Sequence, residues 1–413
     1  MRLEWTTGNR LEVLENGEQY YPRVFEAIAG AQREVLLETF ILFDDAVGRQ
    51  LQQALIQAAR NGADVQVLVD GWGSPDLGPD FVQPMTEAGV KLRVFEPAQR
   101  WFGTRINLFR RMHRKLVVVD GERAFVGGIN YSIDHLAESG PQAKQDWAVQ
   151  IEGPLVAQIQ AFCSASVRTP QPARRAWLAR WRARTAARRK SDDAEETQPG
   201  AAPRSASPGR AAFVTRDNAR HREDIEHQYR VALRGARERV IIANAYFFPG
   251  WRTLKAMRRA ARRGVRVDLV LQGEPDMPIV QTAASLLYAH LARAGVHVYE
   301  YCARPLHGKV AVVDGRWATV GSSNLDPVSL GLNLEANIVV RDEQFARALG
   351  DQLERLIRES CREVELETPG RLGSAWISVR SAVIFHLLRR FPAWVRWLPR
   401  QSPKVANLPP HGA

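Results

Sequence analysis

The feature that most constrains this 413-residue chain is an internal repeat built around the pattern His-x-Lys-x4-Asp. The pattern occurs at His113, Lys115 and Asp120 and again at His307, Lys309 and Asp314. Its surroundings repeat too, since MHRKLVVVDGERAFVGGIN at 112–130 matches LHGKVAVVDGRWATVGSSN at 306–324. Repeated segments fold into repeated structural units. We therefore expect two similar halves whose motifs meet in one site.

Each half alternates short, β-branched apolar runs with stretches of helical pattern, and a hairpin-like pair carries the motif. This alternation predicts an α/β architecture. Between the halves, a basic segment at 170–190 precedes a Pro-, Gly- and Ser-rich one. We predict a first repeat at 1–168, a basic then flexible linker at 169–211, a second repeat at 212–368 and an amphipathic tail at 369–413.

The motif places its side chains in a regular way. Residues i and i+2 of a strand point to the same face, so each His and its Lys should project together. Each Asp precedes a Gly and should lie in the turn at the strand end. Asn130 and Asn324 both follow their His by the same number of residues, and carboxylates follow at Asp146 and Glu335. Two such copies at matched offsets make coincidence negligible.

These residue types suit phosphoryl transfer. Attack on a phosphodiester requires neutralisation of its non-bridging oxygens, which two Lys and two Asn side chains can provide without a metal. One neutral imidazole can be the nucleophile, and the other can protonate the leaving alkoxide and later deprotonate the acceptor. A carboxylate on the far ring nitrogen would fix each tautomer. One half would supply the nucleophile and the other the acid/base.

Paired HxKx4D sequences followed by G-G/S-x-N resemble the phospholipase D superfamily over about residues 10–165 and 210–365. The resemblance implies two pseudo-symmetric repeats, each a mixed β-sheet flanked by helices, with the active site at their interface. It implies that His113 is the nucleophile and His307 the acid/base. Phosphate binding falls to Lys115, Lys309, Asn130 and Asn324, and orientation of the histidines to Asp146 and Glu335. Asp120 and Asp314 belong to the motif and are expected to hold the framework.

Longer stretches such as FRRMHRKLVVVDGERAFVGGINYS are similar to bacterial cardiolipin synthases of the B type. That resemblance implies transfer of a phosphatidyl group to the alcohol of phosphatidylglycerol, with no cofactor. The donor is left open between phosphatidylglycerol and phosphatidylethanolamine. The alternatives are a phospholipase D that uses water as acceptor, and a nuclease or other phosphodiesterase of the superfamily. The motif alone does not choose among them.

Charge distribution favours a lipid over a nucleic acid. The chain has a net charge of +12. Three segments, 100–112, 168–190 and 371–404, together carry a charge of +20, so the remainder of the chain carries −8. Two of them are rich in aromatic side chains, which together with Arg suit the lipid headgroup level. We predict membrane contact by Trp101, Phe102, Phe109, Trp376, Trp394 and Trp397. A packed loop and a tail docked on the protein body are the alternatives.

The remaining sequence signals concern location. No apolar run reaches the length of a membrane span, and the N-terminus lacks the pattern of a signal peptide. Cys163, Cys302 and Cys361 lie far apart and indicate buried thiols in a reducing compartment. We therefore expect a peripheral protein on the cytoplasmic face of the bacterial inner membrane, with phospholipid partners and no bound metal or nucleic acid.

Overall fold

The fold was analysed in a computed structural model of the chain. It describes residues 3–74, 77–97, 100–101, 104–105, 111–168, 209–273, 287–288, 291–364 and 405–407. Within these ranges, no helix is both long and apolar enough to cross a bilayer.

The first half contains ten strands and four α-helices among the described residues. The strands are Thr6–Thr7 (β1), Arg10–Glu15 (β2), Glu34–Thr39 (β3), Asp64–Asp70 (β4), Lys91–Phe95 (β5), Arg100–Trp101 (β6), Thr104–Arg105 (β7), Leu116–Val119 (β8), Arg123–Gly127 (β9) and Trp147–Glu152 (β10). The helices are Asn16–Ala29 (α1), Ala46–Arg60 (α2), Pro79–Glu87 (α3) and Leu155–Arg168 (α4). Short 3-10 helices at Ile133–His135 and Ala137–Gln142 precede β10.

The second half repeats this order. Its strands are Arg210–Arg216 (β11), Arg239–Asn244 (β12), Arg266–Gln272 (β13), Val296–Tyr301 (β14), Lys309–Val313 (β15), Trp317–Gly321 (β16), Glu335–Arg341 (β17) and Cys361–Glu363 (β18), followed by Val405–Asn407 (β19). Its helices are Asp224–Gly235 (α5), Trp251–Arg262 (α6), Pro327–Gly331 (α7) and Glu343–Ser360 (α8).

The strands form two large mixed sheets with the same core order. One runs β19-β5-β4-β3-β8-β9-β10-β2, and the other β1-β11-β17-β16-β15-β12-β13-β14-β18. Three neighbours in each, β3-β4-β5 and β12-β13-β14, are parallel, and the pairs that continue the sheet from β3 and β12 are antiparallel. The predicted α/β class and the two repeated mixed sheets are confirmed.

Alternate side chains of the hairpin strands pack into different buried clusters. In β8, Leu116 and Val118 enter a buried cluster that both halves share, whereas Val117 and Val119 enter the cluster of the first half alone. In β15, Val310 and Val312 enter the shared cluster, and Ala311 and Val313 the cluster of the second half. Both faces of each sheet are therefore buried, which explains why these strands are continuously apolar. The two halves pack through one common core.

The motif hairpins close through Asp-Gly turns. The φ angles are 54° at Asp120 and 67° at Gly121, and 52° at Asp314 and 59° at Gly315. Two consecutive positive φ angles are typical of a type I′ turn, whose twist matches that of the paired strands. The Asp120 carboxylate accepts backbone N–H bonds from residues 32–34, and the Asp314 carboxylate accepts them from residues 237–239. Each Asp thus ties its hairpin to the neighbouring strand.

Several boundaries differ from those expected. β8 begins at Leu116, so His113 and Lys115 lie in the extended segment before the strand. β11 begins at Arg210, within the segment predicted as linker, because it pairs along its whole length with β17. Val405–Asn407, in the predicted tail, pairs antiparallel with β5 and covers that edge of the first sheet.

The cysteine and membrane-contact predictions have separate outcomes. Cys163 is buried, but Cys302 is exposed and Cys361 is half-buried, so the expectation of three buried thiols is wrong. Both of the latter lie near the sheet edge where β18 pairs with β14. Phe102, Phe109, Trp376, Trp394 and Trp397 lie outside the described residues, and for Trp101 only the backbone in β6 is described.

Candidate active site

The two halves interlock through the extended segments that precede the histidines. The His113 backbone N–H donates to Leu334 O at 2.9 Å, and Leu334 N–H donates to Arg111 O at 2.8 Å. In the related pair, His307 N–H donates to Gln145 O at 2.8 Å, and Gln145 N–H donates to Pro305 O at 2.9 Å. Each His is thereby held against the residue that precedes a carboxylate of the opposite half.

As a result, each histidine is hydrogen-bonded to a carboxylate of the other repeat. His113 Nδ1 lies 3.0 Å from Glu335, which opens β17 of the second half. His307 Nδ1 lies 2.6 Å from Asp146, which immediately precedes β10 of the first half. Both carboxylates are fully buried, while the histidine side chains are 11% and 20% exposed. Each histidine-carboxylate pair therefore contains one residue from each half.

Each carboxylate is itself oriented by further hydrogen bonds. The Ser322 hydroxyl donates to Glu335 at 2.5 Å, and the Asn333 side-chain amide donates to its other oxygen at 3.4 Å. The Asp146 carboxylate accepts the backbone N–H of Trp147 at 2.8 Å. Position 128, which corresponds to Ser322, is Gly, and a Cβ there would lie 2.4 Å from the Asp146 oxygen. Such supporting hydrogen bonds hold each carboxylate in the orientation in which it contacts its histidine.

The carboxylates determine the histidine tautomers. A carboxylate only accepts hydrogen bonds, so each Nδ1 carries the proton and each Nε2 of a neutral ring keeps its lone pair. Burial lowers the pKa of His113. Glu335 partly opposes this change, and Lys115 adds to it. Burial and then Lys309 lower the pKa of His307 well below its usual value. Both rings are therefore neutral at pH 7.

Both motif lysines are buried in the same site. Lys115 is 2% exposed and Lys309 fully buried, and each donates to the carbonyl of its own histidine. Burial and the facing Lys309 lower the pKa of Lys115 to about 7. Burial likewise lowers the pKa of Lys309 to about 8, although Asp146 and Glu335 oppose the change. The two lysines disfavour each other's protonated form because they lie in one buried site. A bound anion would offset this repulsion, so the pair forms a site for an anion.

Both predicted Asn residues are buried, and each carries a polar atom that is unpaired within the described part of the chain. Asn130 is 1% exposed, and its carbonyl oxygen accepts the Ile41 N–H at 3.2 Å. Its Nδ2, and the side-chain Oδ1 of Asn324, have no hydrogen-bond partner among the described residues. These two atoms therefore have hydrogen-bonding capacity that no described protein group uses. Asp120 and Asp314, by contrast, lie at the far ends of their strands, about 20 Å from the histidines by strand rise.

The sequence interpretation missed a third histidine. His135 is fully buried, and its ring centroid lies 5.5 Å from that of His307. Its Nε2 accepts the Asn130 backbone N–H at 3.3 Å. His135, Asp146 and His307 bring possible metal-ligand atoms within 4.8 Å of one another, although the bond between Asp146 and His307 already occupies two of them. The available signal was an asymmetry, since Ser329 stands at the corresponding position of the second repeat.

The chain is similar to known proteins over nearly its whole length. The family model described as cardiolipin synthase, PLD-like domain, matches residues 24–162 and 229–357. The chain is 53% identical to cardiolipin synthase B of Salmonella typhi over 411 residues, covering 99% of this chain and 95% of that protein. It is 51% identical to cardiolipin synthase B of Escherichia coli K12 over 410 residues, covering 99% and 95%.

A solved structure shares the fold at much lower sequence similarity. Phosphatidylserine synthase of Haemophilus influenzae superposes with a TM-score of 0.67 at 14% identity, covering 95% of this chain and 97% of that one. The fold and the paired motifs define a phospholipase D-like protein. Within that class, the chain belongs to the cardiolipin synthase family with PLD-like domains, and to its B type.

Proposed function

We propose that the protein is a phosphatidyltransferase of the cardiolipin synthase type. It moves a phosphatidyl group from one phospholipid to the alcohol of phosphatidylglycerol, and releases the small alcohol of the donor. The observation that carries this proposal is the crossed pair of histidines, each held by a carboxylate of the other half, at 3.0 Å for His113 and 2.6 Å for His307. The chain is 53% and 51% identical to two cardiolipin synthase B relatives over nearly its full length, which supports the same reaction.

In the first half-reaction, the donor phosphodiester lies between the two lysines. The lone pair on His113 Nε2 attacks phosphorus, a P–N bond forms, and the bond from phosphorus to the leaving alkoxide breaks. Glu335 stabilises the positive charge that the His113 ring gains through its Nδ1–H bond. His307 donates the proton that converts the alkoxide into the free alcohol.

His307 must be protonated to act as an acid, although burial and the nearby lysines hold its pKa well below the usual value. The bound phosphodiester supplies a negative charge beside the lysines that cause part of this decrease, and an adjacent anion raises the pKa of a histidine. Asp146 supports the same protonated form through its bond to Nδ1. We therefore infer that substrate binding prepares the acid.

In the second half-reaction, the acceptor alcohol replaces the departed one. Neutral His307 takes the proton of the acceptor hydroxyl as its oxygen attacks phosphorus. The P–N bond breaks, its electron pair returns to His113 Nε2, and His307 ends protonated for the next cycle. Lys115, Lys309, Asn130 and Asn324 stabilise the phosphoryl oxygens in both steps, and no metal is required.

The substrates are phospholipids, which we infer are met at an anionic membrane surface. The three basic segments of the sequence provide charge for that surface at about 1 kcal/mol per Lys or Arg side chain close to it. We propose a peripheral location on the cytoplasmic face of the bacterial inner membrane. Phosphatidylglycerol is the expected acceptor, and the donor is phosphatidylglycerol or phosphatidylethanolamine.

The test is incubation of purified protein with phosphatidylglycerol vesicles in the presence of EDTA. Diphosphatidylglycerol with an equal amount of glycerol is the expected product. Phosphatidic acid as the main product would instead indicate water as the acceptor, and DNA cleavage without lipid turnover would overturn the proposal. His113→Ala and His307→Ala should each abolish transfer while circular dichroism shows an unchanged fold. Substantial transfer by either variant would overturn the shared-site mechanism.

A further inference from the structure

We propose that Arg111, stacked on Trp72 beside His113, binds the phosphate of the acceptor lipid. This inference rests on the proposed function and identifies the subsite for the second substrate. The reaction joins two anionic lipids, and the lysines at the reacting phosphorus account for one phosphate. The phosphate that the acceptor already carries needs a cation of its own close to the attacked phosphorus.

Arg111 is held in place by aromatic rings. Its guanidinium carbon lies 4.7 Å from the centre of the Trp72 ring and 5.8 Å from that of Phe40. The Asp70 carboxylate below accepts the backbone N–H groups of Trp72, Gly73 and Met112, at 2.9, 3.0 and 2.8 Å. Asp70 also attracts the Arg111 charge, while burial of Arg111 lowers its pKa. A guanidinium that stacks on aromatic faces still presents several in-plane donors to a phosphate.

Arg111 faces the catalytic groups. Arg111 O and His113 N–H both pair with Leu334, so the segment from Arg111 to His113 is extended. Alternate side chains of an extended segment point to one side. Met112, between them, is fully buried on the other side. Arg111, His113 and Lys115 therefore form a row, Arg-x-His-x-Lys, along the rim of the site.

The spacing fits the acceptor. The Phe40 ring centre lies 4.9 Å from the His113 ring centre, 5.2 Å from Lys115 Nζ and 5.8 Å from the Arg111 guanidinium carbon. The two cations are thus no more than about 11 Å apart. Phosphates at the two ends of one glycerol are six bonds apart, which is about 9 Å along the bonds at about 1.5 Å per bond and about 7 Å end to end in a zigzag chain. A hydrogen bond of about 3 Å at either end extends this reach to the separation of the cations.

The arrangement occurs once in the described active site. Strand register aligns β3 with β12, so Ala245 corresponds to Phe40, and the motif alignment makes Pro305 the counterpart of Arg111. The second half therefore has neither the ring nor the guanidinium at these positions. Such an asymmetry suits a reaction in which the leaving alcohol of the donor carries no phosphate and the anionic acceptor enters from one side.

The test compares two acceptors on the same phosphohistidine. Incubation with phosphatidylglycerol vesicles and labelled glycerol measures transfer to phosphatidylglycerol, which gives cardiolipin, against transfer to glycerol, which gives labelled phosphatidylglycerol. We expect Arg111→Gln to lower the ratio of cardiolipin to labelled phosphatidylglycerol by at least tenfold. An unchanged ratio would overturn the proposal. Absence of cardiolipin from the wild-type reaction would instead refute the proposed function.

Arg341→Gln is the matched control. The Arg341 guanidinium also stacks at 4.7 Å on an aromatic ring, that of Trp5, but lies at the end of β17 remote from Glu335. Its ratio should equal that of the wild type, and a fall equal to that of Arg111→Gln would overturn the assignment. If Arg111→Gln does not fold, the wild type decides: 1-acylglycerol, which lacks the phosphate, should be at least tenfold poorer than phosphatidylglycerol as acceptor, and equal use would overturn the subsite.

Discussion

Asp146 follows His113 in the same repeat, yet its carboxylate contacts His307 of the other repeat, and Glu335 contacts His113 in the reciprocal way. A buried carboxylate beside a neutral imidazole orients the ring and stabilises the imidazolium form. Replacing either acid by its amide removes the charge but retains the shape. The two substitutions should therefore affect different chemical steps, according to the histidine that each one supports.

Asp146→Asn should lower turnover of phospholipid by about 10²–10⁴-fold, because His307 is then less often in the protonated form that donates a proton to the leaving alkoxide. A phosphatidyl ester of p-nitrophenol needs no such protonation, so formation of the phosphohistidine from it should be within about tenfold of the wild type. Glu335→Gln should be slow with both substrates, because the nucleophile is affected. Single-turnover release of nitrophenolate measures the difference.

Asp120→Asn is the control for that experiment. Asp120 belongs to the motif but bonds backbone N–H groups of residues 32–34, away from both histidines. The variant should lower Tm and leave the relative preference for the two leaving groups unchanged. If the nitrophenyl substrate restored Glu335→Gln and not Asp146→Asn, the roles of His113 and His307 would be the reverse of those proposed.

The depressed lysine pKa values predict a pH-dependent affinity for anions. The pKa is about 7 for Lys115 and about 8 for Lys309, and a bound dianion favours the protonated forms. Anion affinity should thus be greatest below pH 7 and fall as pH rises through 7 to 8, approaching tenfold per pH unit for each deprotonated lysine. Competitive inhibition by sulfate, which does not titrate here, measures this. An inhibition constant independent of pH between 6 and 9 would contradict it.

At the scale of elements, the active site depends on extended segments that precede strands more than on the strands themselves. His113 and His307 both lie just before the hairpin strands β8 and β15. Each segment is held by backbone bonds to the other half, at Leu334 and Gln145. The Asp-Gly turns at the far ends of the hairpins set the strand register. Close packing at these crossings should be sensitive to side-chain volume.

Gly308 tests that sensitivity. A Cβ at this position would lie 2.3 Å from the Trp147 ring, directly after His307 and against the strand that follows Asp146. Gly308→Ala should lower the free energy of unfolding by about 1–3 kcal/mol and reduce turnover at least tenfold, because the ring or the backbone must shift. Thermal unfolding and the lipid assay check both effects.

Gly235→Ala is the matched glycine control. Gly235 ends α5, and a Cβ there meets no atom within 4 Å. This substitution should leave turnover unchanged and raise the free energy of unfolding by up to about 1 kcal/mol, because alanine restricts the unfolded chain. Equal losses from both substitutions would show that tight packing at Gly308 is not the cause.

At the scale of the whole molecule, the two halves share a buried core that includes residues of β8, β9, β10 and α4 from one half and β15, β16, β17 and α8 from the other. The shared core includes Trp147, whose indole N–H donates to Gln352 of α8 at 2.9 Å. Non-covalent contacts of this kind hold domains together without a covalent link.

Cleavage at a protease site inserted at 195–200 should therefore leave the two fragments associated and active. Gel filtration should show one species of unchanged size, and the lipid assay should retain more than half of the activity. Separation of the fragments with loss of transfer would contradict the shared core. The uncleaved protein with the same insertion is the control.

Much of this organisation was predictable from the sequence. The repeat predicted two α/β units, since alternating strand and helix patterns recur at matched positions. The motif spacing also indicated that the two His and two Lys side chains would gather, and in the structure they lie close enough to lower one another's pKa. That Asn130 and Asn324 join them at the phosphate stays a prediction. The turn role of Asp120 and Asp314 followed from the glycine after each.

The sequence by itself determined the two units, the paired motifs and their chemistry, because local periodicity and residue type carry that information. Only the tertiary structure decided which carboxylate serves which histidine, that His135 lies against His307, and that Arg111 stacks beside His113. These contacts join residues of different segments or halves, and their partners are set by how two sheets pack on a common core. The local sequence pattern does not specify which residues of the two halves come into contact.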